Sequence, residues 1–183
     1  MALNINEMRA TMGLGGARPS LFSVQLTNPV DSSGDPALPF LCRASSLPAF
    51  NIGVVPVFYF GRQIKLPGVR QFDPWTVTIY NDEDFITRNA LEGWNNAMNT
   101  LEGNIENFPN ASPLNYKSQG TVTQYGKTGN IIRVYQFKGI WPSNVAPIDL
   151  DWTNGDAIQE YQVTFQFDDF AVVGGTTGNA GGI

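Results

Sequence analysis

Residues 61–83, GRQIKLPGVRQFDPWTVTIYNDE, carry the clearest indication of the fold. A basic turn at Gly61 and Arg62 leads to residues 75–80, where threonines alternate with large apolar side chains. This alternation is typical of a strand with one buried face. Asn81 or Asp82 can then cap the free N–H groups of a helix, and the acidic residues that follow favour the positive end of its dipole. The stretch therefore predicts a strand followed directly by a helix.

The composition indicates one globular, mainly β domain. The chain has 183 residues, 42% hydrophobic and 15% charged, which is enough for a real core. Its 19 glycines and 12 prolines separate short runs of Val, Ile, Phe, Tyr and Thr, which are typical of strands. The predicted strands cover residues 21–26, 40–45, 54–60, 63–66, 75–80, 121–125, 131–137 and 157–168.

One helix is predicted at about residues 82–102, with Gly103 at its end. Its apolar residues recur at spacings of three and four, so one face is expected to pack on a sheet. These residues are Ile86, Ala90, Trp94, Ala97, Met98 and Leu101. The domain is predicted at residues 18–170, between a flexible N-terminal arm at 1–17 and a flexible, Gly-rich tail at 171–183. Residues 28–39 are predicted to form a surface loop.

The sequence lacks the side chains on which many enzymes depend. It has no histidine, the residue best suited to proton transfer near neutral pH and the most common metal ligand. A single cysteine, Cys42, excludes a disulfide framework and a multi-cysteine zinc site, and we expect it to be a small buried residue. No catalytic, cofactor-binding or metal-binding residue is predicted, and the chain is not expected to be an enzyme.

The best enzyme alternative uses a group of carboxylates near the C-terminus. Asp149, Asp151, Asp156 and Glu160 could imitate a glycoside-cleaving pair or a Ca²⁺ loop. The spacing does not fit an EF-hand, because position five counted from Asp149 is Thr153 and the glycine comes one place late.

Charge and hydropathy restrict the partners. Eleven basic and 16 acidic residues give a net charge of -5, which argues against a chain that grips nucleic acid but not against one that nucleic acid passes. Residues 1–10 contain Glu7 and Arg9 and lack an apolar core segment, so no signal peptide is predicted. No segment approaches a membrane span, and we expect synthesis in a cytosol without membrane anchoring.

Five blocks of this sequence, taken in order, resemble the tail tube proteins of contractile-tailed bacteriophages, a family related to type VI secretion tube proteins. The blocks are residues 17–22, 42–49, 62–83, 139–145, and 150–152 followed by 160–170. The chain departs from the shorter members of the family at residues 28–39, at residues 104–115 and in its Gly-rich tail.

The resemblance implies a compact β-barrel or two-sheet sandwich with one flanking α-helix, in agreement with the predicted strands and helix. It also implies a structural subunit of the virion, whose homohexameric rings stack into the inner tube of the tail. Genomic DNA would pass through that tube without specific binding during ejection into the host. The implied partners are further copies of the chain and the tail sheath, baseplate and tail terminator proteins, with assembly in the host cytoplasm.

Two other functions fit the same pattern of strands. One is the tube subunit of a tailocin or of a type VI-like contractile injection system, which shares the architecture. The other is a monomeric β-sandwich binding module that uses its tryptophans as platforms, although large aromatics in alternating strands are more often core or interface residues. The four tryptophans are Trp75, Trp94, Trp141 and Trp152.

A tube wall predicts which residues line the channel. If subunits join open sheet edges around a ring, one sheet face meets the core and the other meets the lumen. In residues 157–168 the polar face contains no Lys or Arg, so it avoids the counterion release by which cationic side chains attach DNA. The predicted lining consists of Thr76, Thr78, Glu160, Gln162, Thr164, Gln166 and Asp168.

Contacts between rings are predicted in protruding segments, which often become ordered on assembly. The hairpin at residues 54–68 is the main candidate, and its tip carries Gly61 and Arg62. The two terminal arms are the other candidates.

Overall fold

The computed structural model describes residues 4–13, 15–106 and 112–180. The strands are β1 (Phe22–Leu26), β2 (Cys42–Ser45), β3 (Phe50–Tyr59), β4 (Arg62–Phe72), β5 (Trp75–Tyr80), β6 (Ser118–Tyr125), β7 (Ile131–Val145), β8 (Glu160–Gln166) and β9 (Asp169–Gly174). The helices are α1 (Ile5–Thr11), α2 (Leu38–Leu41), α3 (Ile86–Met98) and α4 (Pro113–Tyr116), and Ser32–Gly34 form a 3₁₀ turn. The mainly β fold with one principal helix is confirmed.

Seven strands form one antiparallel sheet. Their order is β1-β6-β7-β8-β5-β2, and β9 pairs with β7 beside this path. The first part of the 15-residue strand β7 pairs with β6 and β9, and its last part pairs with β8. The sheet therefore has two halves that share β7. It is not closed into a barrel: β1 and β2 are the ends of the strand order and do not pair with each other, and β9 pairs with β7 alone among the described strands.

One hydrophobic cluster joins both halves of the sheet to α3. Its largest side chains are Trp75, Trp94, Phe137 and Phe165, all with less than 2% of their surface exposed. Trp75 stacks on Phe137 with 4.5 Å between ring centroids, and its indole N–H donates to the Ser46 carbonyl at 2.9 Å. The Trp94 indole donates to the Tyr116 carbonyl at 2.9 Å. Because both indoles are buried and hydrogen-bonded, these tryptophans build the core and cannot act as binding platforms.

The helix is shorter than predicted at both ends. It begins at Ile86 rather than at residue 82, after a capping residue, Phe85, that makes no side-chain cap bond. Asn81 does not cap the helix because it continues the strand pairing, where its backbone N–H donates to the Gln159 carbonyl at 2.9 Å. The helix ends at Met98, so Leu101 lies outside it and is exposed.

Residues 28–39, which were predicted to form a surface loop, pack partly against α3. The buried Asn28 side chain donates to the Ala90 carbonyl of α3 at 2.8 Å and accepts the backbone N–H of Val30 at 2.9 Å. Gly34 is also buried, and a Cβ there would lie 3.0 Å from the Thr87 Cα. Residues 38–41, partly predicted as a strand, form α2 because proline stands in its first turn and the chain becomes extended only at Cys42.

The C-terminal strands differ in length from the prediction. β8 covers Glu160–Gln166 within the predicted 157–168, and β9 continues pairing with β7 up to Gly174. Residues 171–174 of the predicted tail therefore belong to the sheet. At the other end, part of the predicted N-terminal arm forms α1, which has no buried residue. The arm and tail predictions also include residues 1–3, 14 and 181–183, which lie outside the described residues.

Gly139 is the point at which β7 leaves one half of the sheet for the other. Its φ is +65°, and a Cβ there would collide with the Asp168 carboxylate.

We expect Gly139→Ala to lower the free energy of unfolding by about 1–3 kcal/mol, since a left-handed non-glycine residue costs energy before any collision is counted. Gly93→Ala in α3 is the control: no atom lies within 4 Å of its added Cβ. That change should be neutral or raise stability by up to about 1 kcal/mol. Urea denaturation of the single subunit measures both free energies of unfolding. Equal effects of the two substitutions would contradict the role given to Gly139.

Candidate assembly surfaces

The predicted lining residues of β5 and β8 lie side by side on one face of the sheet. Thr76 is directly opposite Thr164, and Thr78 is directly opposite Gln162. Directly opposed residues of antiparallel strands project to the same face. The residues that alternate with these, Trp75 and Val77 on β5 and their neighbours on β8, are buried on the opposite face. The alternation thus separates a core face from a polar face, as predicted.

The polar face continues onto two strands that the sequence did not assign to it. Ala44 of β2 lies opposite Thr78, and Asn144 of β7 lies opposite Thr164. Gln166 extends the face along β8, where its partner on β7 is Trp141. Both added positions follow bulges in the pairing, which break simple alternation in the sequence. No period-two pattern could have identified them.

The acidic residue at the end of this face is ion-paired. A guanidinium nitrogen of Arg43 on β2 contacts the Glu160 carboxylate, and this pairing raises the pKa of Arg43. Both side chains are about half exposed, with relative exposures of 50% and 41%. The pair contributes little stability in such a position, but it balances the charge of Glu160. The face is therefore close to neutral, although the strand sequence alone suggested an acidic one.

Asp168 lies away from the other lining residues. It follows β8, and its backbone N–H donates to the Lys138 carbonyl at 3.0 Å. Its carboxylate accepts two hydrogen bonds from the Lys117 ammonium, at 2.7 and 2.8 Å. Asp168 also packs against the bend of β7 at Gly139. Alternation counted from Glu160 fails here because the strand ends at Gln166.

Gly61 and Arg62 lie at the tip of a separate two-stranded ribbon formed by β3 and β4. Between the strands, Phe60 and Gly61 form a two-residue loop with φ values of +44° and +72°. Positive φ at both loop positions is the type I′ turn, for which Asn-Gly is the preferred sequence. Phenylalanine in the left-handed region is unfavourable, and this Phe60 is 90% exposed.

The ribbon exposes apolar side chains on both faces. Cross-strand pairs such as Val55–Leu66 and Val57–Ile64 form one face, while Phe58 lies on the other. Every residue of β3 is exposed, and so is every residue of β4 except Gly68 and Phe72. Isolated two-stranded ribbons are at best marginally stable in water. Among the described residues, no third strand pairs with this hairpin.

Aromatic contacts hold the base of the hairpin on the domain. The ring of Phe72 lies 5.6 Å from that of Phe167 and 5.7 Å from that of Phe170, centroid to centroid. Phe50 lies 6.0 Å from Phe170. Because Phe167 also meets the core residue Phe137, with 5.0 Å between centroids, the hairpin is anchored at its base and free at its tip.

Comparisons with known proteins identify the family of this chain. A family model described as phage tail tube protein matches residues 17–173. The tail tube protein gp19 of Enterobacteria phage T4 is 33% identical over 153 residues, which cover 83% of this chain and 89% of that protein. The chain belongs to the phage tail tube protein family. The tail tube protein of Serratia phage KSP90 is 24% identical over 170 residues, or 89% of this chain and 93% of that one.

Two solved structures share the fold of this tail tube protein. A chain of the sheath/tube terminator of PVC, an extracellular contractile injection system, has a TM-score of 0.64 at 14% identity and covers 87% of this chain and 97% of its own. A chain of the tube-terminating cap of the anti-feeding prophage has a TM-score of 0.63 at 16% identity, with coverages of 86% and 91%. The tail tube assignment makes the chain a structural protein and not an enzyme.

Two of the carboxylates considered for catalysis or Ca²⁺ binding, Glu160 and Asp151, have local partners in the tail tube protein. Asp151 accepts hydrogen bonds from the backbone N–H and hydroxyl of Thr153 at 2.9 and 2.8 Å, and these bonds lower the pKa of Asp151. Among the described residues, no group of three or more His, Cys, Asp or Glu side chains is placed to hold a metal ion. Within the same residues, no helix is long and apolar enough to cross a membrane.

Cys42 behaves as a packing residue. It is partly buried beside the core, and burial raises the pKa of its thiol to about 12.

Because the thiolate is the reactive form, we expect alkylation by iodoacetamide at pH 8 to be at least about a hundredfold slower in the folded subunit than in urea. Mass spectrometry follows the reaction at this single cysteine, and the denatured chain is the control. Labelling at comparable rates in both states would contradict the assignment.

Proposed function

We propose that this tail tube protein forms homohexameric rings that stack head to tail into the inner tube of a contractile phage tail, through which genomic DNA passes without specific binding. The observation that carries the proposal is the β3–β4 hairpin, whose apolar residues are exposed on both faces. A subunit that worked alone would have no physical reason to keep such a surface.

The hairpin has the features of an interface between subunits. Burying a Val, Leu, Ile or Phe side chain contributes about 1.5–3 kcal/mol, and the hairpin offers several of them. A head-to-tail contact joins two different surfaces and can repeat along an open stack. Because the hairpin is anchored at its base alone, it can reach a neighbouring ring while its own domain stays in place.

The open sheet edges supply the contacts within a ring. β1 and β2 are the two ends of the strand order, and each leaves one row of backbone N–H and C=O groups without a strand partner among the described residues. Joining such edges around a closed ring satisfies these groups and removes an aggregation hazard. In that arrangement the polar face of β8, β5 and β2 lines the lumen, and α3 packs on the opposite face of the sheet.

A near-neutral polar lining lets DNA pass. Each cation that neutralises a phosphate releases counterions and adds affinity, so an unpaired Lys or Arg in the lumen would slow transit. The lining that we propose consists of Ala44, Thr76, Thr78, Asn144, Glu160, Gln162, Thr164 and Gln166, with Glu160 balanced by Arg43. Asp168 is left out because of its place beyond β8. With a Debye length of roughly 8 Å, charges in such a wall act at close approach alone.

The remaining partners follow from the place of a tube in a tail. Structures that share this fold include a tube-terminating cap and a sheath/tube terminator. We infer that this tube is likewise bounded by a terminator, surrounded by a sheath and seated on a baseplate, within a virion assembled in the host cytoplasm.

Phe60→Asn tests the role of the hairpin tip in stacking. Asn-Gly is the preferred type I′ pair, so the variant subunit should be at least as stable as the wild type by urea denaturation. It nevertheless loses an exposed aromatic contact, and we expect tubes seen by negative-stain electron microscopy to become fewer and shorter by about tenfold, the equivalent of 1.4 kcal/mol per contact. Phe40→Ser, at a phenylalanine that is 87% exposed outside the hairpin, is the control. Equal loss in both variants would argue against the hairpin.

Two lysines placed on the polar face test the lining. Tubes that carry Thr76→Lys together with Gln162→Lys should retain double-stranded DNA, whereas wild-type tubes should not. We expect at least about tenfold more DNA to sediment with the variant tubes at low salt, and the excess to fall steeply as salt rises. The control is Asn89→Lys at an exposed position of α3, with one added charge per subunit. Greater DNA retention per added lysine in this control would place the lumen elsewhere.

A further inference from the structure

We propose that the β3–β4 hairpin tip of one subunit docks in an acidic cleft of a second copy of this chain in the next ring. The cleft lies under the loop at residues 146–159. Its base is the end of the sheet where Tyr80, the last residue of β5, pairs with Glu160, the first residue of β8. This inference rests on the proposed stacking of rings and names the surface that receives the hairpin.

The hairpin and the cleft lie at opposite ends of the same two strands. β4 ends at Phe72 and leads into Trp75, the first residue of β5. The cleft is lined by Tyr80, the last residue of β5, and by Glu160, the first residue of β8. Six strand residues separate the two ends by roughly 20 Å. A head-to-tail stack requires a donor surface and a receiving surface at opposite poles, and this subunit has both.

The cleft has the size and lining of a docking site. Its volume is about 860 Å³. Leu150, Trp152 and Ile158 line it and are exposed by 78%, 103% and 70%, so these three apolar side chains are not buried within the subunit. A partly apolar cleft with exposed tryptophan is the kind of surface on which an aromatic anchor contributes most to binding.

The charges of the two surfaces are complementary. Residues 50–72 contain three cations and no acidic residue, with Arg62 and Lys65 near the tip and Arg70 towards the base. Residues 146–159 contain Asp149, Asp151 and Asp156 and no Lys or Arg. No ion pair among the described residues involves these three aspartates or the cations of the hairpin. Arg43 also lines the cleft but pairs with Glu160, so the lining as a whole remains negative. Asp149 and Asp156 can therefore pair with Arg62 and Lys65 of another copy, and unlike charges steer the approach of the two copies.

The strain at the tip fits a docking role. Phe60 holds a left-handed conformation that favours Asn or Gly, and its ring contacts that of Tyr59 edge-on at 4.7 Å. An unfavourable residue kept at an exposed turn points to a function outside the subunit. Aromatic and arginine side chains supply most of the hot spots of protein interfaces, and Tyr59, Phe60 and Arg62 place three of them at one tip.

Disulfide crosslinking tests this contact directly. In a Cys42→Ala background, tubes that carry Arg62→Cys and Leu150→Cys should give a ladder of crosslinked chains on oxidation. The control pair is Arg62→Cys with Leu101→Cys, at a leucine that is 92% exposed just beyond α3. We expect crosslinking at least about tenfold more complete in the first pair, a difference of one decade in effective concentration.

Charge reversal supplies a second readout. Asp149→Lys with Asp156→Lys should cut the number of tubes by about tenfold, and adding Arg62→Glu with Lys65→Glu should restore them, because the reversed charges attract again. Tubes that form normally but give no ladder, cleft variants that stack like the wild type, or a combined variant that stacks no better would each overturn the inference and leave the tube function intact. A wild-type protein that forms no tubes, even on a tail baseplate, would overturn the proposed function itself.

Discussion

The antiparallel pairing of β5 with β8 determines what each part of this subunit can do. Thr76 opposite Thr164 and Thr78 opposite Gln162 form one face, and the intervening apolar side chains form the core. A shift of one residue would exchange the two faces completely, so the burial of Trp75 and Phe165 keeps the polar face outside. The same pairing also gives the sheet two distinct ends, with the hairpin at one and the cleft at the other.

Exposed apolar surface is tolerated in this fold because of where it is placed. On the β3–β4 hairpin it is confined to a ribbon whose base is fixed by Phe50, Phe72 and the aromatic residues beneath them. The domain core does not depend on the ribbon, so the subunit can fold before the ribbon finds its partner. A surface placed in this way separates folding from the association that we propose for it.

Structural features determined by neighbouring residues could be predicted from the sequence, whereas features determined by residues far apart in the sequence could not. β5 was predicted residue for residue because threonine and large apolar side chains alternate there without interruption. The helix start was misplaced because Asn81, a good cap by type, pairs with Gln159 across the sheet. The near-neutral polar face was missed because Arg43 lies 117 residues from Glu160. The family resemblance identified the tail tube protein, but periodicity could not place the cleft at the end of β5 and β8, which is lined by residues from several parts of the chain.

The Arg43–Glu160 pair also affects which surfaces can meet. A hairpin rich in cations and free of acids would be attracted to any unpaired carboxylate on another copy, including those of the lining. Glu160 lies where the lining meets the proposed cleft, and its pairing with Arg43 leaves the aspartates of residues 146–159 as the unpaired carboxylates of that cleft. The attraction is then directed to the loop and away from the lining, so specificity comes partly from weakening an alternative contact. In the tube that we propose, one ion pair of little value for stability would thus serve both the passage of DNA and the register of the rings.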